Sequence, residues 1–321
     1  ETFIADAVML GDEKIDGGWM SMQPTVISRR SFVGNGSYVP DGTILPENVL
    51  IGVHSTVPDN HQMQDGDTWL GSPPINLPAR ETTTGFPESL TYRPSPVRRL
   101  ARGLIEAFRI VAPHAIVTSV GYTVVLNTMP LANVGNWWAV IAFLTAAGLF
   151  YGVGTFFFIA AIKWSIMRRY QRCSVPMWTP FVWLSEGLTN LYEGIAVPNF
   201  LRYLRGTPWL PVAMNFLGSR IGKGVYLDTT DFTEFDCIAI GNYSELNALA
   251  CPQTHLFEDR VMKIDHVIIG ERVYMGPRSA VLYSAVVGDN AKLGALTLVM
   301  KGEFIPAASS WKGCPAAPAR N

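Results

Sequence analysis

Residues 267–300 read VIIGERVYMGPRSAVLYSAVVGDNAKLGALTLVM, and in this stretch an aliphatic residue or Met returns at every sixth position. The six positions are Ile269, Met275, Val281, Val287, Leu293 and Val299, and glycine follows directly at Gly270, Gly276, Gly288 and Gly294. An amphipathic helix needs apolar spacings of three and four, so it does not explain a strict period of six. Three six-residue units make one triangular coil of a parallel β-helix. The stretch therefore predicts a left-handed parallel β-helix.

The two recurring positions have different physical roles in such a coil. The aliphatic side chain points into the narrow interior of the prism and stacks on its equivalents one coil away. The glycine suits a tight corner, where a side chain would collide or where the backbone needs a positive φ. Looser signals at Ile221-Gly222 and Ile240-Gly241 indicate that the β-helix begins well before residue 267.

The same phase occurs near the start of the sequence, at Ile27, Val33, Val39, Leu45, Ile51 and Val57. A constant offset of 242 in residue number, as between Gly34 and Gly276, aligns the two stretches without a gap. The exits also align, because TWLGSPP at 68–74 matches SWKGCPA at 310–316. Unrelated β-helices would share the period but not this exit. We therefore predict an internal duplication, with a first and a second copy. Because the sequence opens on ETFIADAVML rather than on Met, we expect it to be the C-terminal part of a larger protein.

Composition excludes some classes of function. The chain has 321 residues, of which 48% are hydrophobic and 16% charged, and its mean hydropathy is +0.19. This charge content is low for a soluble enzyme, so some apolar surface is expected to face lipid. A net charge of −1 gives no sign of nucleic-acid binding. The four cysteines have neither CxxC nor zinc-site spacing, so we expect reduced thiols in a cytosolic domain and no metal.

Two long apolar stretches separate the copies. Residues 137–162 form 26 positions without a charge, enough to cross a bilayer core of about 30 Å. Residues 110–131 are interrupted only by Pro113, His114 and Pro130. Arginines and one lysine flank the outer ends of both stretches: Arg98, Arg99, Arg102, Lys163, Arg168, Arg169 and Arg172. Cationic ends favour the cytoplasmic side, so we predict a transmembrane hairpin with its tip near residues 133–136. A buried hairpin of a soluble protein is the alternative.

The segment after the hairpin also has a helical pattern. Leu184, Leu188, Leu191 and Ile195 fall at helical spacing within a stretch rich in proline and tryptophan. This favours an amphipathic helix lying in the membrane interface. A linker helix packed on the β-helix is the alternative. His114 is expected at headgroup level rather than in a proton relay.

A dense polar set precedes the hexapeptides of the second copy. Its members are Asp228, Asp231, Glu234, Asp236, His255, Glu258, Asp259, Arg260 and Lys263. A prism interior has no room for them, so they are expected in corners and loops. β-Helix acyltransferases need one imidazole to accept a proton from the attacking amine or hydroxyl, and His255 is our candidate general base. Its tautomer would be fixed by a carboxylate, with Glu234, Asp236, Glu258 and Asp259 as candidates.

The first copy has no equivalent TH-x-FEDR segment. The offset of 242 places Glu13 opposite His255, although the surrounding sequence differs. We therefore expect a degenerate partner rather than a second active site. His54 and His61 of the first copy are expected to have structural roles.

Several motifs resemble one family. VYLDTTDFTEFD (225–236), QTHLFEDRVMK (253–263), LTLVMKGE (296–303) and the W-x-G-x-P exit are similar to the terminal region of ε-poly-lysine synthetase-like non-ribosomal peptide synthetases. In that family an adenylation and a carrier domain precede membrane helices that alternate with tandem acyltransferase-like domains. The resemblance covers essentially the whole chain.

The resemblance implies peptide or isopeptide bond formation by amine attack on an aminoacyl thioester. The thioester would be carried on the phosphopantetheine arm of an upstream carrier domain, so no cofactor would be bound within this chain, and ATP would act only at the adenylation domain. His255 would be the base, with Glu234, Asp236 and Asp259 as catalytic partners. The acidic residues Asp228, Asp231 and Glu258 would bind the cationic amine of the amino-acid substrate.

These inferences give a predicted domain organisation. Residues 1–80 end one β-helix domain, 81–103 are a linker, 104–167 form the hairpin, 168–212 the interfacial segment and 213–321 the last β-helix domain. We expect a multi-pass protein of the inner (plasma) membrane with cytoplasmic β-helices that associate as a pseudo-trimer. A CoA-dependent acetyltransferase of a small molecule or envelope glycan, and a non-catalytic scaffold or export module, are the alternatives.

Overall fold

The structure, a computed structural model, describes residues 2–78 and 85–319. The predicted boundary between residues 80 and 81 lies outside the described residues, as do both chain ends. Strands β1 to β11 are, in chain order, Phe3–Ile4, Met9–Leu10, Lys14–Asp16, Trp19–Ser21, Val26–Ile27, Phe32–Val33, Tyr38–Val39, Ile44–Leu45, Leu50–Ile51, Thr68–Leu70 and Ile75–Asn76. We call residues 2–78 the first coil stack.

Parallel pairing in the first coil stack follows the period of six. Val33 pairs with Ile51, the third aliphatic position after it, so one coil is three hexapeptides. The coil before it is longer, because Ile4 pairs with Val33 rather than with a residue three hexapeptides further on. The extra length includes the antiparallel hairpin β3–β4. The stack ends where β10 turns back antiparallel into β11.

Helices fill the centre of the chain. They are α1 (Pro96–Asn133), α2 (Trp137–Ile162), α3 (Pro180–Leu191), α4 (Val197–Asn199) and α5 (Trp209–Leu217), with strand β12 (Cys173–Pro176) before α3. Two π-helical turns, Lys163–Met167 and Tyr192–Ala196, extend α2 and α3.

The predicted hairpin is present as α1 and α2. The bounds of α2 coincide with the predicted uncharged stretch, and α1 runs unbroken through Pro113 and Pro130 from Pro96, inside the segment predicted as linker. By length and composition, Pro96–Asn133 and Trp137–Met167 are apolar enough to cross a membrane. Their outer surfaces expose large apolar side chains such as Leu149 and Phe150.

Helix α3 packs differently from the sequence expectation. Leu188 and Ile195 are buried as predicted, but Leu184 is 41% exposed, and the buried face also includes Trp183 and Tyr192. The buried face of α3 therefore includes Trp183 in place of its predicted neighbour Leu184, and the π-helical turn Tyr192–Ala196 follows this helix. Trp183, Leu188 and Tyr192 share one apolar cluster with Phe156 of α2 and with the β-helix. This packing matches the alternative of a helix packed on the β-helix.

Strands β13 to β28 form a second coil stack, residues 220–319. They are Arg220–Ile221, Tyr226–Leu227, Ile238–Ile240, Glu245–Leu246, Cys251–Gln253, His255–Glu258, Val261–Ile264, Val267–Ile269, Tyr274–Met275, Ala280–Leu282, Val286–Val287, Lys292–Leu293, Leu298–Val299, Phe304–Ile305, Ser310–Lys312 and Ala317–Pro318. Three parallel sheets, one for each face, contain the hexapeptide strands. Ile269 pairs with Val287 and Val281 with Val299, so each coil again consists of three hexapeptides.

Two reasons could require glycine in the hexapeptides, a positive φ or close approach between coils, and the structure distinguishes between them. Positive φ occurs at Arg272, Arg278 and Asn290, three positions after the buried aliphatic, and not at the glycines. A Cβ on Gly276 would instead lie 2.6 Å from the backbone nitrogen of Ala295 in the next coil. Close approach between coils, rather than backbone conformation, therefore requires glycine there.

The two coil stacks meet along an apolar seam. Val53 and Leu70 of the first stack pack with Ala280, Leu282 and Leu298 of the second. Phe3 of the first stack also contacts Phe257 of the second, with ring centroids 5.4 Å apart. A site between the stacks is therefore bounded by both.

Candidate functional site

His255 begins β18 (His255–Glu258), which protrudes from the second coil stack. This strand pairs antiparallel with β19 (Val261–Ile264), and β19 pairs with β12 near the helices. The imidazole is 17% exposed and meets the Phe257 ring edge to face at 5.6 Å. Pairing on one side and aromatic contact on the other fix the position of the ring.

Glu234 is the carboxylate that contacts this imidazole. It lies in the loop after β14 (Tyr226–Leu227), with φ of 31°, and its side chain is 1% exposed. Its Oε2 accepts hydrogen bonds from Thr254 Oγ1 at 2.6 Å and from His255 Nδ1 at 2.8 Å. A proton on Nδ1 leaves Nε2 as the basic atom. Nε2 has no hydrogen-bond partner among the described residues.

The pair shifts both pKa values. Burial alone would lower the pKa of His255, but the charge and hydrogen bond of Glu234 hold it above its usual value. Burial alone would raise the pKa of Glu234, but His255 and the neighbouring hydroxyls hold it below its usual value. An imidazole that binds a proton tightly and a carboxylate that stays ionised are suited to general-base chemistry.

The pair lines a cavity of about 240 Å³ with three walls. The first coil stack contributes Phe3, Ile4, Ala5, Asp6, Phe32 and Asn35. Helix α3 contributes a polar face: Ser185, Glu186, Thr189, Asn190 and, from the following turn, Glu193. The second stack contributes Asp231, Thr233, Glu234, Gln253 and His255. Arg109 of α1 also lines the cavity, which therefore lies where both stacks and the helices meet.

The polar face of α3 was missed from the sequence. Its members recur every three to four residues, as the residues of one helical face do. The prediction for this helix, however, used only its apolar residues. A polar helical face indicates water or a site equally well, so the pattern did not choose between them.

The cavity is rich in negative charge. Arg109 and Arg102 are neutralised by Glu106 and Glu186, with Arg102–Glu186 at 2.6 Å and Arg109–Glu106 at 3.0 Å. No cation of the described residues pairs with the side chains of Asp6, Glu193 and Asp231, which remain on the cavity wall. Burial, together with Asp231 and Asp6, raises the pKa of Glu193 to about 7. Burial likewise raises the pKa of Asp231.

The other predicted site residues lie elsewhere. Asp236 pairs with Lys163 at 2.7 Å at the end of the hairpin, and Asp228 faces Arg205 at 3.8 Å. Glu258 pairs with Lys263 and Lys301, at 2.8 and 2.7 Å. Asp259 is at the β18–β19 turn with φ of 50°. The structure therefore brings Asp231 and Glu234 to the cavity of His255, and not these four.

An apolar groove of about 200 Å³ adjoins the cavity along the seam. Phe32, Leu256 and Phe257 line both spaces. Leu50, Val53, Leu70, Leu77, Leu282, Leu298 and Met300 complete most of the apolar wall. Within the described residues no group of three or more His, Cys, Asp or Glu side chains could hold a metal ion.

The strand register defines a hexapeptide β-helix, a fold that also occurs in acetyltransferases, and the imidazole–carboxylate pair lies beside a cavity of this β-helix. The similar solved structures are of that kind. The hexapeptide-repeat containing acetyltransferase of Vibrio cholerae is 14% identical with a TM-score of 0.27, over 35% of this chain and 79% of that one. Soybean serine acetyltransferase is 18% identical with a TM-score of 0.26, over 70% of this chain and 100% of that one. With scores this low, the fold assignment rests on the strand register. No protein-family model matches the chain.

One curated relative is much more similar. The chain is 58% identical over 318 residues, 99% of its length, to Delta-poly-L-ornithine synthetase of Acinetobacter baumannii (strain AB307-0294). The resemblance to poly-amino-acid synthetases is thereby confirmed. The chain spans 24% of the length of that relative.

Proposed function

We propose that this chain is a membrane-anchored acyltransferase module that forms a peptide or isopeptide bond between amino acids. The observation that carries the proposal is the geometry of His255, with Nδ1 held by a buried carboxylate at 2.8 Å and Nε2 unpaired among the described residues that line the cavity. The name of the relative, a poly-ornithine synthetase, supports an amine as the acceptor.

The proposed step is amine attack on an aminoacyl thioester. The acceptor nitrogen attacks the thioester carbonyl carbon, so a C–N bond forms and the C–S bond breaks. His255 Nε2 accepts the proton that the nitrogen loses and returns it to the departing thiolate. The buried carboxylate of Glu234 stabilises the imidazolium between these two transfers.

The donor arm would lie in the apolar groove. A phosphopantetheine arm supplies the thioester sulfur and is long and thin, with little charge near its thiol end. The groove is lined by Leu282, Leu298 and Met300 and shares Phe257 with the cavity, so its residues fit such an arm. The carrier and adenylation domains of the longer protein would be the partners that load it.

The hairpin would anchor this chemistry at the inner face of the plasma membrane. The buried Lys163–Asp236 pair and the packing of Phe156 join α2 to the second coil stack. Cationic residues at this end favour the cytoplasmic side. Association of β-helix copies as a pseudo-trimer remains part of the proposal.

The test replaces His255 in the full-length protein. His255→Ala should lower amide formation from a carrier-bound aminoacyl thioester by about 10²- to 10⁴-fold. His266→Ala is the matched control, because His266 pairs with Asp265 at 3.2 Å and does not line the cavity. Unchanged product formation by His255→Ala in assembled protein would leave the scaffold or export alternative. Transfer from acetyl-CoA in preference to the carrier would favour the acetyltransferase alternative.

Glu234→Gln provides a second, graded test. Because the Glu234 carboxylate raises the pKa of His255, its removal should move the acidic limb of the pH–rate profile to lower pH. The maximal rate should also fall, since the imidazolium loses its counter-charge. A lower rate with an unmoved limb would contradict the assigned role of Glu234.

A further inference from the structure

Glu234 has a backbone conformation that its surroundings must hold. Its φ of 31° and ψ of 57° lie in the left-handed region, although it is not a glycine. A residue in this region persists only where neighbouring contacts fix it. A short helical turn, Phe235–Cys237, follows directly, and the backbone nitrogen of Cys237 donates to the carbonyl oxygen of Glu234 at 2.8 Å. Contacts that hold this turn therefore also hold the Glu234 carboxylate against His255. We call residues 228–237 the Glu234 loop.

The helical hairpin contacts the Glu234 loop through Lys163. Lys163 is the first residue of the π-helical turn that extends α2, and it is fully buried. Its Nζ lies 2.7 Å from Oδ2 of Asp236, and the same oxygen accepts a hydrogen bond from the backbone nitrogen of Tyr170 at 3.1 Å. Removing one partner of a buried ion pair leaves an uncompensated charge, so this contact strongly constrains the loop.

The turn after α3 contacts the same loop through Tyr192. Tyr192 is the first residue of the second π-helical turn and is 1% exposed. Its hydroxyl donates to the carbonyl oxygen of Thr230 at 2.8 Å, and its ring meets the Phe235 ring edge to face with centroids 5.2 Å apart. Thr230 precedes Glu234 in the sequence and Phe235 follows it, so one side chain holds both arms of the loop.

The two π-helical turns therefore have the same relation to the loop. The carbonyl oxygen of Lys163 accepts from the backbone nitrogen of Arg168 at 2.9 Å, and that of Tyr192 accepts from Val197. Single π-helical turns within α-helices occur frequently at functional sites. Here both turns begin at a residue whose buried side chain contacts the Glu234 loop, although the two turns belong to different helices.

We propose that Lys163 and Tyr192 are positioning residues, which hold the Glu234 loop so that its carboxylate stays against His255. This rests on the proposed function, in which His255 is the general base. Both residues act through Glu234 and lie outside the cavity lining. The hairpin and α3 then contribute to the rate of transfer and do not serve as an anchor alone.

The experiment measures the pH–rate profile of the full-length protein with a carrier-bound aminoacyl thioester. Tyr192→Phe removes one hydroxyl but keeps the ring against Phe235, so the fold is retained while the loop is held less firmly. Its kcat should fall about fivefold, as expected for one hydrogen bond, with each KM changed by less than about twofold. The acidic limb should move to lower pH, because a displaced Glu234 carboxylate no longer raises the pKa of His255. The other charged groups that face His255 stay unchanged in this variant: Asp6, Glu186, Glu193 and Asp231.

Tyr170→Phe is the matched control for Tyr192→Phe. It also removes a buried hydroxyl of the same apolar cluster, but that hydroxyl contacts Ser185 Oγ of α3 at 3.1 Å and not the Glu234 loop. Its acidic limb should not move.

Lys163→Met should lower kcat more, by about tenfold or more, because it leaves the Asp236 carboxylate buried without its cation. Arg205→Met is its control. Arg205 faces Asp228 at the start of the same loop, at 3.8 Å and from a partly exposed position, so kcat should stay within about twofold.

A double-mutant cycle distinguishes positioning from general stabilisation. In a Glu234→Gln background, Tyr192→Phe and Lys163→Met should each lower kcat by less than about twofold further, since a residue that acts through the carboxylate has no effect once the carboxylate is removed. Equal losses in both backgrounds, or an unmoved acidic limb in the folded single variants, would overturn the positioning role while the catalytic proposal stands. If Lys163→Met does not fold, Tyr192→Phe decides alone. If His255→Ala retains transfer, the catalytic proposal fails and the positioning role fails with it.

Discussion

At the scale of single residues, the two coil stacks differ at one decisive position. Leu10 pairs with Val39 in the first stack, and Pro252 pairs with Val281 in the second, so the same offset of 242 relates both partners. In both stacks, an insertion of the same length therefore interrupts the regular coil at the same position. Glu13 thus occupies in the first stack the position of His255 in the second. The first stack has the frame of the site without an imidazole.

Glu193 supplies a prediction about pH and stability. Its folded-state pKa of about 7 lies above its ordinary value of 4.5, so folding favours the protonated form. Stability from this group is present below pH 4.5 and is lost as the pH rises through about 7. Asp231, Asp6 and His255 are the charged groups that face it, and Glu193→Gln removes the repulsion. The difference in melting temperature, Glu193→Gln minus wild type, should therefore be larger at pH 8 than at pH 5.

Asp228→Asn is the control for this measurement, because its carboxylate faces Arg205 outside the cavity. Glu193 is reached by solvent through the cavity, which weakens the effect, so direction rather than size is the test. An equal difference in melting temperature at both pH values would contradict the repulsion of Glu193 by Asp231 and Asp6.

The sequence predicted part of this site. His255 stood out because an imidazole between polar residues has no place in a prism interior. Four carboxylates were candidates for its partner, and only folding of the 228–237 loop brings Glu234 to it. Glu193 gave no signal, because only the fold brings it to the same cavity as Asp6, which is distant from it in sequence. A periodic sequence pattern does not indicate which residues distant in sequence come close in the fold.

At the scale of elements, the glycines of the hexapeptides give a matched pair. A Cβ on Gly276 would meet the backbone of Gly294 and Ala295 at 2.7 and 2.6 Å, whereas a Cβ on Gly294 would meet Lys312 Cβ at 3.4 Å. Gly276→Ala should lower the free energy of unfolding by about 1–3 kcal/mol through overpacking. Gly294→Ala should change it by less than about 1 kcal/mol. Denaturant unfolding of the two variants checks the difference. Equal losses of unfolding free energy would show that the spacing between coils does not determine where glycine is required.

The sequence predicted strands and helices correctly where a pattern has a single structural cause. Strand positions followed from the period of six, and α2 from its uncharged stretch. The orientation of α3 did not follow, because Trp183 rather than its neighbour Leu184 is packed into the core. Adjacent apolar residues of a helix point in different directions, so the apolar pattern alone did not decide which of the two is buried.

At the scale of the whole molecule, the first coil stack also presents an exposed apolar hairpin. Trp19 and Met20 of β4 are 82% and 59% exposed. The equivalent hairpin of the second stack, β18–β19, packs through Phe257 on Phe3 of the first. Repetition of that contact by another β-helix copy is what the predicted pseudo-trimer requires. Detergent-solubilised full-length protein should then show Trp19 protected from oxidative footprinting relative to the isolated chain.

The seam between the stacks can be tested by two neighbouring residues. Leu298 and Val299 are both fully buried, but Leu298 faces the seam with Val53 and Leu70, whereas Val299 faces the prism interior. Each substitution by alanine should cost about 1–5 kcal/mol of stability. Only Leu298→Ala should also raise the KM for the thioester donor, since Leu298 lines the groove and its truncation widens it. Leu296→Ala, at an exposed position in the same coil, is the control for both. The KM is measured at a temperature where both variants are folded. If Leu298→Ala and Val299→Ala change it equally, the seam contributes to stability alone, and the cavity does not depend on how the stacks meet.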